Sequence, residues 1–80
     1  MNKLYEEQKH SLYQIQKAIG VGHDTLYKYY RGENKIDTMP IKMVLDIAQF
    51  EGVEVNKLYK SMIAYETLKA IKTANKAQNN

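Results

Sequence analysis

Eighty residues make one domain, and a chain this short buries only a modest share of its surface, so a partner that adds burial suits it. A hydrophobic content of 44% supports a packed core and argues against wholesale disorder, while the absence of cysteine removes disulfides, thiolate catalysis and thiolate metal sites. The net charge of +3, with an isoelectric point near 9.1, is compatible with nucleic acid without demanding it.

No apolar run approaches the roughly 18 residues that cross a bilayer, and the first residues lack the apolar core of a signal peptide, so a cytoplasmic protein with no membrane partner is expected. The charge is uneven. Residues 1–37 hold six basic and five acidic groups, residues 38–56 one and three, and residues 57–80 five and one. The positive balance therefore comes from the C-terminal end.

Asn2 to Lys9 is a short helix candidate, with Leu4 and Tyr5 its apolar residues and Glu6 and Glu7 on a solvated side. His10 occupies the joint that follows, as a structural or solvent-exposed residue. A second helix runs from Leu12 to Ile19. Ser11 and Gln14 form S-x-x-Q, a capping box, and Leu12, Ile15 and Ile19 share one face. Gly20 stops this helix, since glycine tolerates the left-handed conformation that closes a helix end. A third helix is expected over about 23–30, capped by Gly22, with Asp24 at the positive end of its dipole and Leu26, Tyr29 and Tyr30 on one side. Gly32 ends it.

Glu33 to Asp37 is a polar loop. Asp37 or Thr38 caps a fourth helix that carries Pro40 in its first turn and runs to about Phe50. Ile41, Val44, Leu45 and Ala48 make one apolar stripe and Met43, Ile47 and Phe50 a second, which predicts burial around most of the circumference. Past Gly52, Asn56 is a candidate cap for a fifth helix. Leu58, Met62, Tyr65, Leu68 and Ile71 recur every three or four residues to about Asn75, as one long amphipathic helix or two with a bend near Ser61. Ala77 to Asn80 should fray. The division that follows is 1–60 for the domain proper and 61–80 for a C-terminal helical extension.

Two short helices joined by a tight turn describe a helix-turn-helix, which needs supporting helices to bury its inner faces. Ile15, Ile19, Gly20-Val21-Gly22, Thr25-Leu26, Tyr29 and Tyr30-Arg31-Gly32, with the later Leu45-x-Ile47-Ala48 and Gly52-Val53…Leu58-Tyr59, resemble the lambda-repressor/Cro-like (Xre-type) helix-turn-helix family over roughly residues 4–60. The resemblance implies an all-α, compact five-helix DNA-binding domain, here with the C-terminal extension. Two positions depart from the family pattern. Gln16 stands where alanine is usual, and Gly22 stands where serine or threonine is usual, which removes a side-chain cap.

A helix offered to the major groove buries its apolar stripe and turns the opposite positions outward. Those are His23, Asp24, Tyr27 and Lys28, and the resemblance implies the same four as base-reading residues. Lys28 can donate to guanine and Asp24 accept from cytosine, although Asp24 also suits the helix dipole and is repelled by phosphates. Tyr27 can meet a thymine methyl or a phosphate, or simply pack on the surface. Phosphate contacts are expected from Ser11 and Tyr13 at the start of the second helix, and from Tyr30, Arg31, Asn34 and Lys35 after the third. Met43, Ile47, Phe50, Leu58, Met62, Tyr65, Leu68 and Ile71 form a dimer or partner surface, or pack on one another within one chain.

His10 and His23 have no metal-ligand spacing, Gly20-x-Gly22 has no third glycine, and no nucleophile arrangement is visible, so no enzyme, metal site or cofactor is expected. The leading reading is a sequence-specific regulator of double-stranded DNA, a repressor of the small phage or mobile-element type, acting as a homodimer. The competing reading is a protein-binding helix-turn-helix, a modulator or anti-repressor that pairs with another regulator. It is favoured by Asp24 and by the near-neutral charge of residues 1–37. A weaker third reading sets the lysine-rich C-terminal helix on anionic lipid.

Overall fold

The computed structural model describes residues 1–78, with side chains through residue 72. It is all-helical over those residues. Four α-helices run in the order α1 (Leu12–Ile19), α2 (Thr25–Tyr30), α3 (Ile41–Glu51) and α4 (Val55–Gln78), with a 3₁₀ turn at Ile36–Thr38 before α3. None of these is long and apolar enough to cross a membrane.

The five helices anticipated from sequence become four because Asn2–Lys9 does not form one. Leu4 and Tyr5 are buried all the same, at 5% and 1% exposure. Side chains take over the hydrogen bonds that a helical ladder would have made. Buried Gln8 accepts from the Leu4 N–H at 2.8 Å and donates to the carbonyls of Asn2 and His10. Glu51, at the end of α3, accepts from the Lys9 and His10 N–H groups and from the Tyr5 hydroxyl. With its polar groups satisfied this way, the segment has no need of helix.

α1 starts on the expected capping box, with Gln14 N–H to Ser11 Oγ at 3.1 Å and Ser11 N–H to Gln14 Oε1 at 3.0 Å. It closes on Gly20 at φ 79°, where the Gly20 and Val21 N–H groups both reach the Gln16 carbonyl. α2 is shorter than expected and begins at Thr25. Asp24 is its N-cap residue but makes no side-chain cap bond.

After Gly32 the chain turns to bury Ile36 and Met39, and the Ile36 N–H donates to the Glu66 carboxylate of α4 at 3.0 Å. The fourth-helix cap expected at Asp37 or Thr38 is absent. α3 begins later, at Ile41, with Pro40 just before it and no side-chain cap bond. Its buried positions are Val44, Ile47, Ala48 and Glu51, a single i, i+3, i+4, i+7 stripe. Ile41 and Leu45 face outward at 68% and 49% exposure, so neither predicted stripe is buried as drawn.

Glu54, not Asn56, caps α4, accepting from the Asn56 and Lys57 N–H groups at 3.1 and 2.8 Å. α4 then runs unbroken through Ser61. At about 1.5 Å per residue its 24 residues span about 36 Å, which accounts for the 41 Å long axis against 24 and 22 Å across. Leu58 and Met62 join the core with Leu12, Ile15, Leu26, Tyr29, Val44 and Ile47, whereas Leu68 and Ile71 lie beyond it, half exposed. Ala77 and Gln78, expected to fray, continue the helix, and Asn79 and Asn80 lie outside the described residues.

Candidate nucleic-acid interface

α2 is only six residues long, and its orientation is set from behind. Leu26 is fully buried and Tyr29 is 8% exposed, both within the core, while half-buried Tyr27 packs against its edge. The hydrogen bond that Gly22 and Asp24 do not provide comes from α1. Gln16, 1% exposed, accepts the Leu26 N–H on Oε1 at 2.7 Å and donates from Nε2 to the His23 carbonyl at 2.8 Å. Gln16 therefore ties the first turn of α2 to α1. A glutamine fits here because one amide supplies both an acceptor and a donor.

On the outer side the structure brings three of the four predicted base-reading residues close together. His23 and Lys28 are exposed and Asp24 is half-buried. Asp24 holds Arg31 in a two-pronged ion pair, with Nη1–Oδ1 at 3.1 Å and Nη2–Oδ2 at 3.0 Å, and Glu33 takes the Arg31 Nε–H. Hydrogen bonding to Arg31 holds the Asp24 carboxyl below the usual carboxylate range; its slight desolvation opposes this, and the charges of Arg31, Lys28 and His23 add to the lowering. The Arg31 guanidinium is correspondingly pushed up, through its bonds to Asp24 and then Glu33.

Arg31, expected as a phosphate contact, is thus held between two carboxylates at the surface. The Tyr30 ring is also engaged: the Lys69 ammonium of α4 sits 3.6 Å from its centroid and donates to its carbonyl. The Ser11 hydroxyl oxygen accepts the Gln14 N–H in the α1 cap, which leaves its O–H as a donor, while Tyr13, Asn34 and Lys35 are exposed.

The predicted dimer or partner surface divides. Ile47, Leu58 and Met62 are at 1%, 1% and 0% exposure and belong to the chain's own core, so for these three the alternative of packing within one chain holds and the partner surface does not. Met43 and Tyr65 are half-buried. Phe50, Leu68 and Ile71 remain exposed, with the Phe50 ring against His10 at a 4.5 Å centroid distance. Among the described residues no group of three or more histidine, aspartate or glutamate side chains is placed to hold a metal ion.

Glu51 went unnoticed in the sequence, and Gln16 stood out there without its tie to α2 being foreseen. Each is a polar side chain on an apolar helix face, and that mismatch was the available signal. Compared with protein-family models, with curated proteins and with solved structures, the chain matches none.

Proposed function

We propose that this protein is a sequence-specific DNA-binding regulator of the cytoplasm, in which α1, the Gly20 turn and α2 act as a helix-turn-helix and α2 enters the major groove. One observation carries the reading. α2 is anchored from behind by Leu26 and Tyr29 and pinned to α1 by Gln16, while Lys28 on the helix and His23 just before it stand exposed. A short helix fixed at its back with polar side chains outward suits base contact, because the reading groups keep their geometry without covering by the chain itself. The resemblance of residues 4–60 to the lambda-repressor/Cro-like family supports the same assignment. Lys28 is the principal base-reading residue, with His23 and Tyr27 beside it. Lys35, Asn34 and Tyr13 contribute phosphate contacts. Occupancy of an operator would occlude polymerase, making the protein a repressor.

Selection from a pool of random duplexes tests this. An enriched motif is expected, its affinity falling steeply between about 50 and 200 mM salt and its selectivity lost in Lys28→Ala. An unchanged motif after His23, Tyr27 and Lys28 are replaced together would reject the assignment of α2.

The Asp24–Arg31–Glu33 cluster favours a second reading, a helix-turn-helix that binds another regulator protein. It places two carboxylates and one guanidinium at the edge of the outer face, which weakens attraction to phosphate. Capture of no motif at any salt, with a one-to-one complex with a repressor, would select it. A homodimer rests on Phe50, Leu68 and Ile71 alone. Sedimentation at micromolar concentration with Leu68→Glu and Ile71→Glu tests it, and a wild-type monomer both free and on DNA would remove it.

A further inference from the structure

α3 leaves an apolar pair uncovered. Ile41 and Leu45, one turn apart and so neighbours on the helix surface, are both exposed, while Val44, Ile47 and Ala48 on the other side are in the core. Beside them on the outer side stand Lys42 and Asp46, again four residues apart and joined at 2.8 Å. The third charged residue of α3, Glu51, is buried. The outer face therefore carries one cation and one carboxylate and is electrically neutral. On α4, by contrast, the exposed Lys57, Lys60 and Lys72 are all basic. A phosphate backbone or an anionic lipid surface has no net attraction to the α3 face, and an apolar pair set in a balanced charge pattern suits protein.

The geometry points to a second copy of this chain as the occupant, with two α3 helices packed antiparallel about a two-fold axis. The charge pattern decides it. Lys42 and Asp46 lie about 6 Å apart along the helix. A two-fold axis midway between them reverses their order, so each Lys42 stands level with the partner's Asp46. Such an axis also sets each flank of the helix against its own counterpart, which interleaves Ile41 and Leu45 with the same pair of the partner. The patch is complementary to itself, as a two-fold contact requires, whereas parallel packing would set like charge on like. An exposed ion pair contributes little within one chain, so sharing it across the contact costs little, and burial of the isoleucine and leucine drives association. This face is separate from the contact that rests on Phe50, Leu68 and Ile71. Phe50 lines a groove with Ala18 and Ile19 of α1, and the other two lie on α4. It is also independent of whether α2 meets DNA.

Sedimentation of the full chain without DNA tests this in a Leu68→Glu/Ile71→Glu background, which removes the α4 part of the other contact. A dimer is expected by about 100 μM. Leu45→Glu should weaken it about a hundredfold, and Lys42→Glu or Asp46→Lys alone about tenfold, because each charge reversal sets like charges together across the axis. An equimolar mixture of the Lys42→Glu and Asp46→Lys chains should regain the dimer, since every charge in that pair meets its opposite. The charge reversals lie on the surface and carry the test if Leu45→Glu does not fold. A chain that stays monomeric at about 100 μM would overturn the proposal and leave the face to an unrelated protein. A dimer indifferent to Leu45→Glu, or a mixture no more associated than its two components, would overturn it equally.

Discussion

Gln16 offers the sharpest test of how α2 is held. Replacing it with methionine keeps the length and rough shape of the side chain but removes both hydrogen bonds to α2. The Leu26 N–H is then buried without a partner, which costs about 1–3 kcal/mol. The His23 carbonyl lies nearer solvent and can turn to water, so it adds little. A loss of about 2 kcal/mol is expected for Gln16→Met, and about 3 kcal/mol for Gln16→Ala, which also leaves a void at a site 1% exposed. A domain of this size has about 4–12 kcal/mol in total, so both variants should still fold. With a urea dependence near 1 kcal/mol per molar, the midpoints should fall by about 2 and 3 M, read by circular dichroism. Amide exchange at Leu26 should speed up before that of Leu12 or Ile15 in α1. A Gln16→Met midpoint within about 0.5 M of wild type would refute the reasoning, because it would mean that packing alone positions α2.

Three further perturbations probe other parts of the argument. Burial alone would raise the Glu51 carboxyl, but hydrogen bonds from the Tyr5 hydroxyl, the Lys9 N–H and His10 outweigh it and the net direction is down. The carboxylate's contribution is therefore complete above its unfolded value of about 4.3 and is lost as pH falls through the lower folded one, so wild type should lose urea stability below about pH 4.5 more steeply than Glu51→Gln, which should already be about 2 kcal/mol weaker at neutral pH. Equal pH slopes would show that the network carries no net stabilisation. Asp24→Asn removes a carboxylate from the outer face and loosens Arg31, so duplex affinity should rise at low salt and the slope of log affinity against log salt should steepen by about 1; an unchanged slope would place Arg31 away from DNA. Gly20→Ala meets no atom within 4 Å, so only the left-handed backbone resists it, and thermal unfolding should report a loss of about 1–2 kcal/mol. A loss near zero would mean that the turn does not need that conformation.

The sequence alone determined what depends on neighbours a few residues apart. The Ser11–Gln14 box, the apolar spacing of α1 and the burial of Leu26 and Tyr29 follow from i, i+3 and i+4 relations, and the left-handed Gly20 from glycine's own freedom at a helix end. The outward position of Lys28 was legible for the same reason, as the far side of a short helix whose near side is apolar, whereas His23, expected in the same helix, lies in the turn before it. Only the tertiary structure decided matters of distant partnership. Tyr5 is buried without a helix because Glu51, more than 40 positions away, accepts from its hydroxyl and from the Lys9 N–H. α3 has apolar residues nearly all round, so which of them it buries depends on where α1 and α4 lie against it, and its own periodicity is silent on that. Gln16 reads as a misplaced polar residue until the start of α2 is folded over it, and Arg31 as a free cation until Asp24 and Glu33 close on it. Local hydrogen bonding and periodicity are written along a chain, whereas the partner of a buried polar group or of a charge is chosen by proximity in space.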